Sequence, residues 1–222
     1  MSPSSSANLD LGQSQPSIRL LHSDGQVLIL DKPSGLLSVP AKPPGPADCL
    51  EARVRSAYPE ALLVHRLDRD TSGVMVFART RLAQRHLNWQ FERRQMAKTY
   101  VARVWGDVDG DAGRIDLPLI CDWPNRPKQM VCHERGKPSV TDWRVLEREG
   151  RATRLELTPL TGRSHQLRVH LLAIGHPILG DGFYAEGEAL TGAERLQLHA
   201  SELGFRHPDG GEHVAFNSPV PF

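Results

Sequence analysis

The sequence predicts an α+β fold around a largely antiparallel sheet. Three observations carry that reading. Apolar segments that alternate as strands do outnumber segments of helical period, most are joined by short turns, and no internal repeat is present. A chain of 222 residues can bury a sizeable core as one large domain or two small ones. One domain over residues 18–222 is expected, its largely antiparallel mixed sheet flanked by helices and loops.

Each element follows from its composition. Residues 1–17 are rich in Ser, Pro and Gln and read as a disordered tail. Gln26–Asp31 is a strand candidate closed by the turn Lys32-Pro33-Ser34-Gly35. Cys49–Tyr58 has helical spacing, with Leu50, Val54 and Ala57 on one face. Ala61–Val64 and Val74–Ala78 are apolar runs around a polar turn. Arg81–Gln95 reads as a helix with Leu82, Leu87 and Phe91 inward and arginines outward. Thr99–Trp105 alternates as a strand, and Leu117–Cys132 is a Pro-rich loop. Val140–Glu147 and Thr153–Thr158 read as paired strands. Gly162–Ile174 reads as a helix with Leu167, Leu171 and Ile174 on its apolar face, stopped by Gly175 and Pro177. Arg195–Phe205 and Glu212–Phe216 close the chain as strands.

Composition narrows the function classes. No apolar run approaches the ~18 residues of a membrane span, and the N-terminal residues lack the basic and apolar regions of a secretory signal. Three cysteines without CxxC spacing read as reduced thiols of a cytoplasmic protein. Ten histidines include no ligand-spaced pair beside a third ligand, so no metal is expected. Net charge is only +1, yet Arg79–Arg103 holds seven Lys/Arg against one acid, Glu92. Such a band can contact phosphates. Asp181–Glu194 has four acids and no Lys or Arg.

The chemistry concentrates in the stretch His65-Arg66-Leu67-Asp68-Arg69-Asp70-Thr71-Ser72-Gly73. Carboxylates at a turn between strands, beside arginines, stay ionised and can act as nucleophiles. On these grounds Asp68 and Asp70 are equal candidates. Thr161-Gly162-Arg163-Ser164-His165-Gln166-Leu167-Arg168 opens a helix, whose N-terminus attracts anions. Arg163 there opposes the dipole and suggests an anionic partner, with Asp68 a candidate. Lys98 and Tyr100 share one strand face, and a tyrosine beside a cation could stack on a nucleobase. No GxSxG, phosphate-loop or HExxH pattern is present. Asp68 and Asp70 stand too close in sequence for a glycosidase pair.

HRLDRDTSG, preceded by DKPSGLLSVP (Asp31–Pro40) and followed by PLTGRSHQLRVHLLAIGHPILGD (Pro159–Asp181), resembles the RluA family of pseudouridine synthases. The resemblance runs from about Val27 to the C-terminus and takes in KTYVARVWG (Lys98–Gly106). The insert LPLICDWPNRPKQMVC (Leu117–Cys132) is most similar to the family's dual-specificity tRNA and rRNA member, although the pair Arg69-Asp70 departs from it. The first motif leaves no room for an N-terminal accessory RNA-binding domain.

The resemblance implies a pseudouridine synthase domain with a central RNA-binding cleft. It implies isomerisation of uridine in RNA to pseudouridine, without cofactor or metal. The implied targets are a tRNA anticodon stem-loop and 23S rRNA, and the implied state is a cytoplasmic monomer away from membranes. By motif position Asp68 is the essential aspartate, attacking sugar or base or abstracting a ribose proton. Arg66 fills the place of the flipped uridine. Tyr100 stacks on the uracil, Arg163 pairs with Asp68, and Leu167 lines the pocket. Lys98, His165 and Arg168 are implied RNA contacts. A flipped target is expected because its reacting atoms lie inside structured RNA.

Overall fold

The computed structural model describes Asn8–Leu9 and residues 18–222. In chain order the elements are β1 (Asn8–Leu9), β2 (Ile18–Ser23), β3 (Val27–Lys32), α1 (Leu50–Ala57), β4 (Leu62–Leu63), β5 (Ser72–Ala78), α2 (Arg81–Glu92), β6 (Ala97–Trp105), β7 (Ala112–Asp116), β8 (Leu119–Cys121), β9 (Gln129–Val131), β10 (Val140–Arg148), β11 (Ala152–Pro159), α3 (Gln166–Ala173), α4 (Gly187–Thr191), β12 (Leu198–Arg206) and β13 (His213–Asn217). They form two compact units. The first takes the residues up to Lys98 and Ala200–Pro221, and the second takes Thr99–His199 and Phe222. The predicted α+β class and antiparallel pairing hold in both. The disorder expected of residues 1–17 lies outside the described residues, apart from Asn8–Leu9, which pair with Arg19 and Ile18.

In the first unit the strand order is β1-β2-β3-β5-β12, with β13 on β12 and β4 on β5. All seven residues of β5 are buried, so both its faces are covered. Val27, Ile29, Val74 and Val76 form one face and pack with Ala83 and Leu87 of α2 and with Leu203 and Phe205 of β12. Burying side chains of this size stabilises the fold by about 1.5–3 kcal/mol each. Alternation sends Leu28, Leu30, Met75 and Phe77, all buried, to the opposite face. Gly73 has φ +117°, and a Cβ there would stand 2.2 Å from the Ala200 carbonyl oxygen. Only glycine permits that approach.

Helix α2 keeps Leu87 buried and Phe91 packed against the core, as expected, and corrects only the place of Leu82. Leu82 is 70 % exposed, and the buried positions are Ala83, Leu87 and Gln90. Thr80 caps the helix by accepting from the Ala83 N–H at 3.1 Å, which sets its phase and turns Leu82 out. Gln90 is buried because its amide pairs like a strand residue. Its Nε2 donates to Arg206 O and its Oε1 accepts from Arg206 N, both at 2.8 Å. In α1 Leu50 and Val54 are buried, but Ala57, in the last turn, is exposed.

The second unit has the order β6-β11-β10-β7 and a separate hairpin, β8-β9. That hairpin lies where a Pro-rich loop was expected. Ala102, Val104, Leu155 and Leu157 of the sheet pack with Leu167 and Leu171 of α3. Helix α3 is shorter than predicted, starting at Gln166. His165 before it has φ +53°, a left-handed conformation that ends the turn Thr161–Ser164 outside the helix. Gln166 through Leu171 are all buried, and the exposed residues of α3 are Leu172 and Ala173 at its end.

Candidate active site

In the first unit the HRLD stretch joins β4 to β5 as an irregular loop, closed by Thr71 N–H donating to Asp68 O at 3.2 Å. The loop is laced to the first motif. Gly35 N–H donates to Arg69 O at 3.0 Å, and Ser34 Oγ to Asp70 O at 2.7 Å. Ser38 Oγ donates to Leu67 O at 2.6 Å and accepts from Leu67 N–H at 3.1 Å. At the centre is Lys32, fully buried. Its Nζ donates to the carbonyls of Pro33 (2.9 Å), Leu36 (2.7 Å) and Arg69 (2.8 Å). Burial drives Lys32 down to about 7, while the nearby Asp70 and Asp68 charges oppose that shift. Three carbonyl acceptors match the three N–H donors of an ammonium and favour the charged form.

Asp68 is half-buried on this braced loop, next to exposed Arg66 and buried Leu67. Asp70 turns back to its neighbour, with Arg69 Nε and Nη2 donating to its two oxygens at 2.9 and 3.2 Å. Lys98, also in this unit, is half-buried, and burial and the Arg94 charge lower its pKa.

His65 orients the loop's entry. Its Nε2 accepts the Val76 N–H at 3.1 Å, and its ring stacks on Phe91 at 4.8 Å. Burial, with a smaller effect from the Lys98 charge, pushes its pKa down to about 3. The folded state therefore holds neutral His65, whereas the unfolded chain binds a proton below about 6.5. The stability from this group is complete above pH 6.5 and is lost as pH falls toward 3. Urea midpoints should accordingly drop between pH 7 and pH 5. His65→Gln, which keeps an acceptor for Val76, should flatten that drop; an unchanged drop would assign it to other groups.

The second unit carries Tyr100, Arg163, His165, Leu167 and Arg168. Tyr100 pairs with Leu157 across β6 and β11 and packs against the core. Arg163 is exposed on the turn before α3, its Nε donating to Pro138 O at 3.4 Å. Gln166 fastens that turn. Its Oε1 accepts from Thr161 Oγ1 at 2.7 Å and from Arg163 N at 3.0 Å, and its Nε2 donates to Val140 O at 2.9 Å. Leu167 is buried in the core. His165 Nδ1 meets Tyr184 Oη at 2.6 Å, and its ring stacks on Phe183 at 5.6 Å.

Arg168 is a correction. A surface phosphate contact was expected, but the side chain is 2 % exposed. Its guanidinium binds Asp181 through two bonds of 2.8 and 2.5 Å and lies over the rings of Phe183 and Tyr184. The reason is that the first six residues of α3 are buried, so at position 168 the side chain meets Asp181, Phe183 and Tyr184 rather than solvent. Asp181 also accepts from Phe183 N at 2.9 Å, so the pair holds the loop after Leu179. The acidic count in Asp181–Glu194 therefore includes one structural carboxylate. Lys32, Ser38, Gln166, Asp181 and Tyr184 were not singled out from sequence. All but Tyr184 lie inside the quoted motifs, which was the available signal.

Among the described residues no three His, Cys, Asp or Glu side chains gather as a metal site would require, and no helix is long and apolar enough to cross a membrane. The sequence profile of the RNA pseudouridylate synthase family matches residues 26–173. The dual-specificity RNA pseudouridine synthase RluA of Yersinia pestis is 54 % identical over 204 residues, covering 91 % of this chain and 99 % of that one. The enzyme of the same name from Escherichia coli strain K12 is 52 % identical over 209 residues, covering 94 % and 95 %. Among solved structures, human RNA pseudouridylate synthase domain containing 1 has a TM-score of 0.78 at 28 % identity, over 91 % of this chain and 83 % of that one. Human RNA pseudouridylate synthase domain containing 4 scores 0.74 at 25 % identity, over 91 % and 88 %. With its three motifs in order and each held in a braced loop or turn, the chain belongs to the RNA pseudouridylate synthase family and isomerises uridine in RNA to pseudouridine.

Proposed function

We propose that this enzyme is dual-specific, modifying a uridine in a tRNA anticodon stem-loop and one in 23S rRNA, and that it works as a cytoplasmic monomer. The carrying observation is the near-complete span shared with relatives named for dual specificity. The reaction breaks the N1–C1′ glycosidic bond, forms C5–C1′, releases the C5 proton and protonates N1, so that the product is an isomer of the substrate. No electron is gained or lost, so the chemistry is consistent with protein side chains alone.

Asp68 is the group assigned to the reacting sugar or base, and the braced loop supplies the fixed position that such a step needs. Arg66, exposed two residues earlier, takes the space vacated by the flipped base and offsets part of the few kcal/mol of unstacking. Tyr100 stacks on the uracil and Leu167 walls the pocket. Arg163 acts on the reacting carboxylate, and Lys98 and the basic face of α2 hold phosphates. His165 contributes through its bond to Tyr184, and Arg168 positions that region rather than meeting RNA.

Two RNAs tritiated at C5 of uridine, an anticodon stem-loop and a 23S rRNA hairpin, test the proposal. Release of tritium to water from both, with the base retained, is the expected result. Release from one alone would refute dual specificity. Arg163→Ala should lower kcat at least tenfold while RNA affinity falls by less than about threefold. An unchanged rate would remove Arg163 from the reaction.

A further inference from the structure

The β8–β9 hairpin carries an aromatic tip that the fold itself does not use. Trp123 is 65 % exposed, and the Arg126 guanidinium lies over its ring at 4.4 Å. The loop is rigidly built. Asp122 N–H donates to Lys128 O at 3.0 Å, Asn125 N–H to Asp122 O at 3.1 Å, Lys128 N–H to Asn125 O at 3.0 Å, and Asn125 Nδ2 to Asp122 Oδ2 at 2.9 Å. Its base is moored to the third motif. Gln129 N–H donates to Tyr184 Oη at 2.8 Å, and that same hydroxyl meets His165 at 2.6 Å. From Asp122 to Lys137 there are four Lys/Arg (126, 128, 135, 137) against two acids (122, 134).

An exposed indole backed by a guanidinium has one face covered and the other open. Stacking on that open face suits a flat, electron-rich ring, while the neighbouring cations suit a phosphate chain. Unpaired nucleobases offer both features together. A preorganised loop gives up little entropy on binding. We propose that this hairpin is a second RNA contact, a finger on which Trp123 stacks an unpaired base other than the target uridine, with Arg126 and Lys128 against the adjoining backbone. The His165–Tyr184–Gln129 connection makes the third motif the finger's mount. This rests on the RNA-isomerising reading of the enzyme, but it can be measured apart from turnover.

The test uses the full chain and the anticodon stem-loop RNA, with Kd measured by fluorescence anisotropy and kcat and KM by tritium release. Trp123→Ala should raise Kd and KM about tenfold, the scale of one lost aromatic–base stack, with kcat holding within about twofold. Trp123→Phe should recover most of the affinity. Arg126→Ala should also weaken binding and reduce its salt dependence. An equal Kd for wild type and Trp123→Ala overturns the proposal and leaves the tip as a protein-docking surface. A fall in kcat with unchanged Kd also overturns it. If the wild type binds RNA in a Trp123-dependent way yet releases no tritium, the isomerase reading fails and the finger stands.

Discussion

Asp68→Asn is expected to abolish tritium release while leaving RNA binding within about threefold of wild type. The substitution keeps size and hydrogen-bonding shape but removes the charge, so the loop should stay in place while its carboxylate chemistry is lost. A fall of at least about a thousandfold in kcat is expected, equivalent to about 4 kcal/mol of transition-state stabilisation. The contrast with Asp70→Asn sharpens the assignment. Asp70 is already engaged by Arg69 at the surface, and its loss should leave most of the turnover. Wild-type activity in Asp68→Asn, or complete loss in Asp70→Asn, would reverse the assignment of roles between the two carboxylates.

The largest effect on stability is expected at Lys32, a residue with no direct part in the reaction. Lys32→Met preserves most of the length and volume but supplies no donor. The carbonyls of Pro33, Leu36 and Arg69 would then lose the Nζ they share. Leaving buried acceptors unpaired is far more costly than an ordinary lost hydrogen bond, and about 3–5 kcal/mol is expected here. For a chain of this size that corresponds to a fall of about 10 °C in Tm, read by calorimetry. Because Arg69 directly follows Asp68, the variant's residual folded fraction should also turn over more slowly. A stability loss below 1 kcal/mol would mean that water satisfies these carbonyls once the ammonium is gone.

The contrast between legible and hidden features has a physical basis. Strand alternation and the Gly and Pro stops located β3, β5, β6, β10 and β11 to within a few residues, because one side chain per two residues must face a core. Within α2, Leu87 and Phe91 were placed correctly, but Leu82 was misread because it looks like a core residue by type. The Thr80 cap, a single side-chain bond, decides which leucine turns inward. Arg168 was misplaced for a related reason. Its neighbour spacing is legible, but the covering of the first turns of α3 by Asp181, Phe183 and Tyr184 is a tertiary outcome that no local period reveals. Asp68 and Asp70 could not be ranked from the turn alone, because both sit in one short polar loop beside arginines, and that Arg69 pairs with Asp70 is decided by side-chain geometry. The role of Lys32 depends on carbonyls up to thirty-seven positions away, which no local pattern encodes.

The division of the chain between its two units has a consequence for biosynthesis. The unit that holds Asp68 needs β12 beside β5, with Gly73 against Ala200, yet residues 200–217 leave the ribosome only after the whole of 99–199 has been made. Until then β5, an apolar strand meant to be covered on both faces, waits with an open edge. Residues 99–199 are therefore synthesised before the Asp68 unit can gain its last strands. A chain truncated before Ala200 would keep that edge of β5 open, and it should aggregate more readily than the full chain.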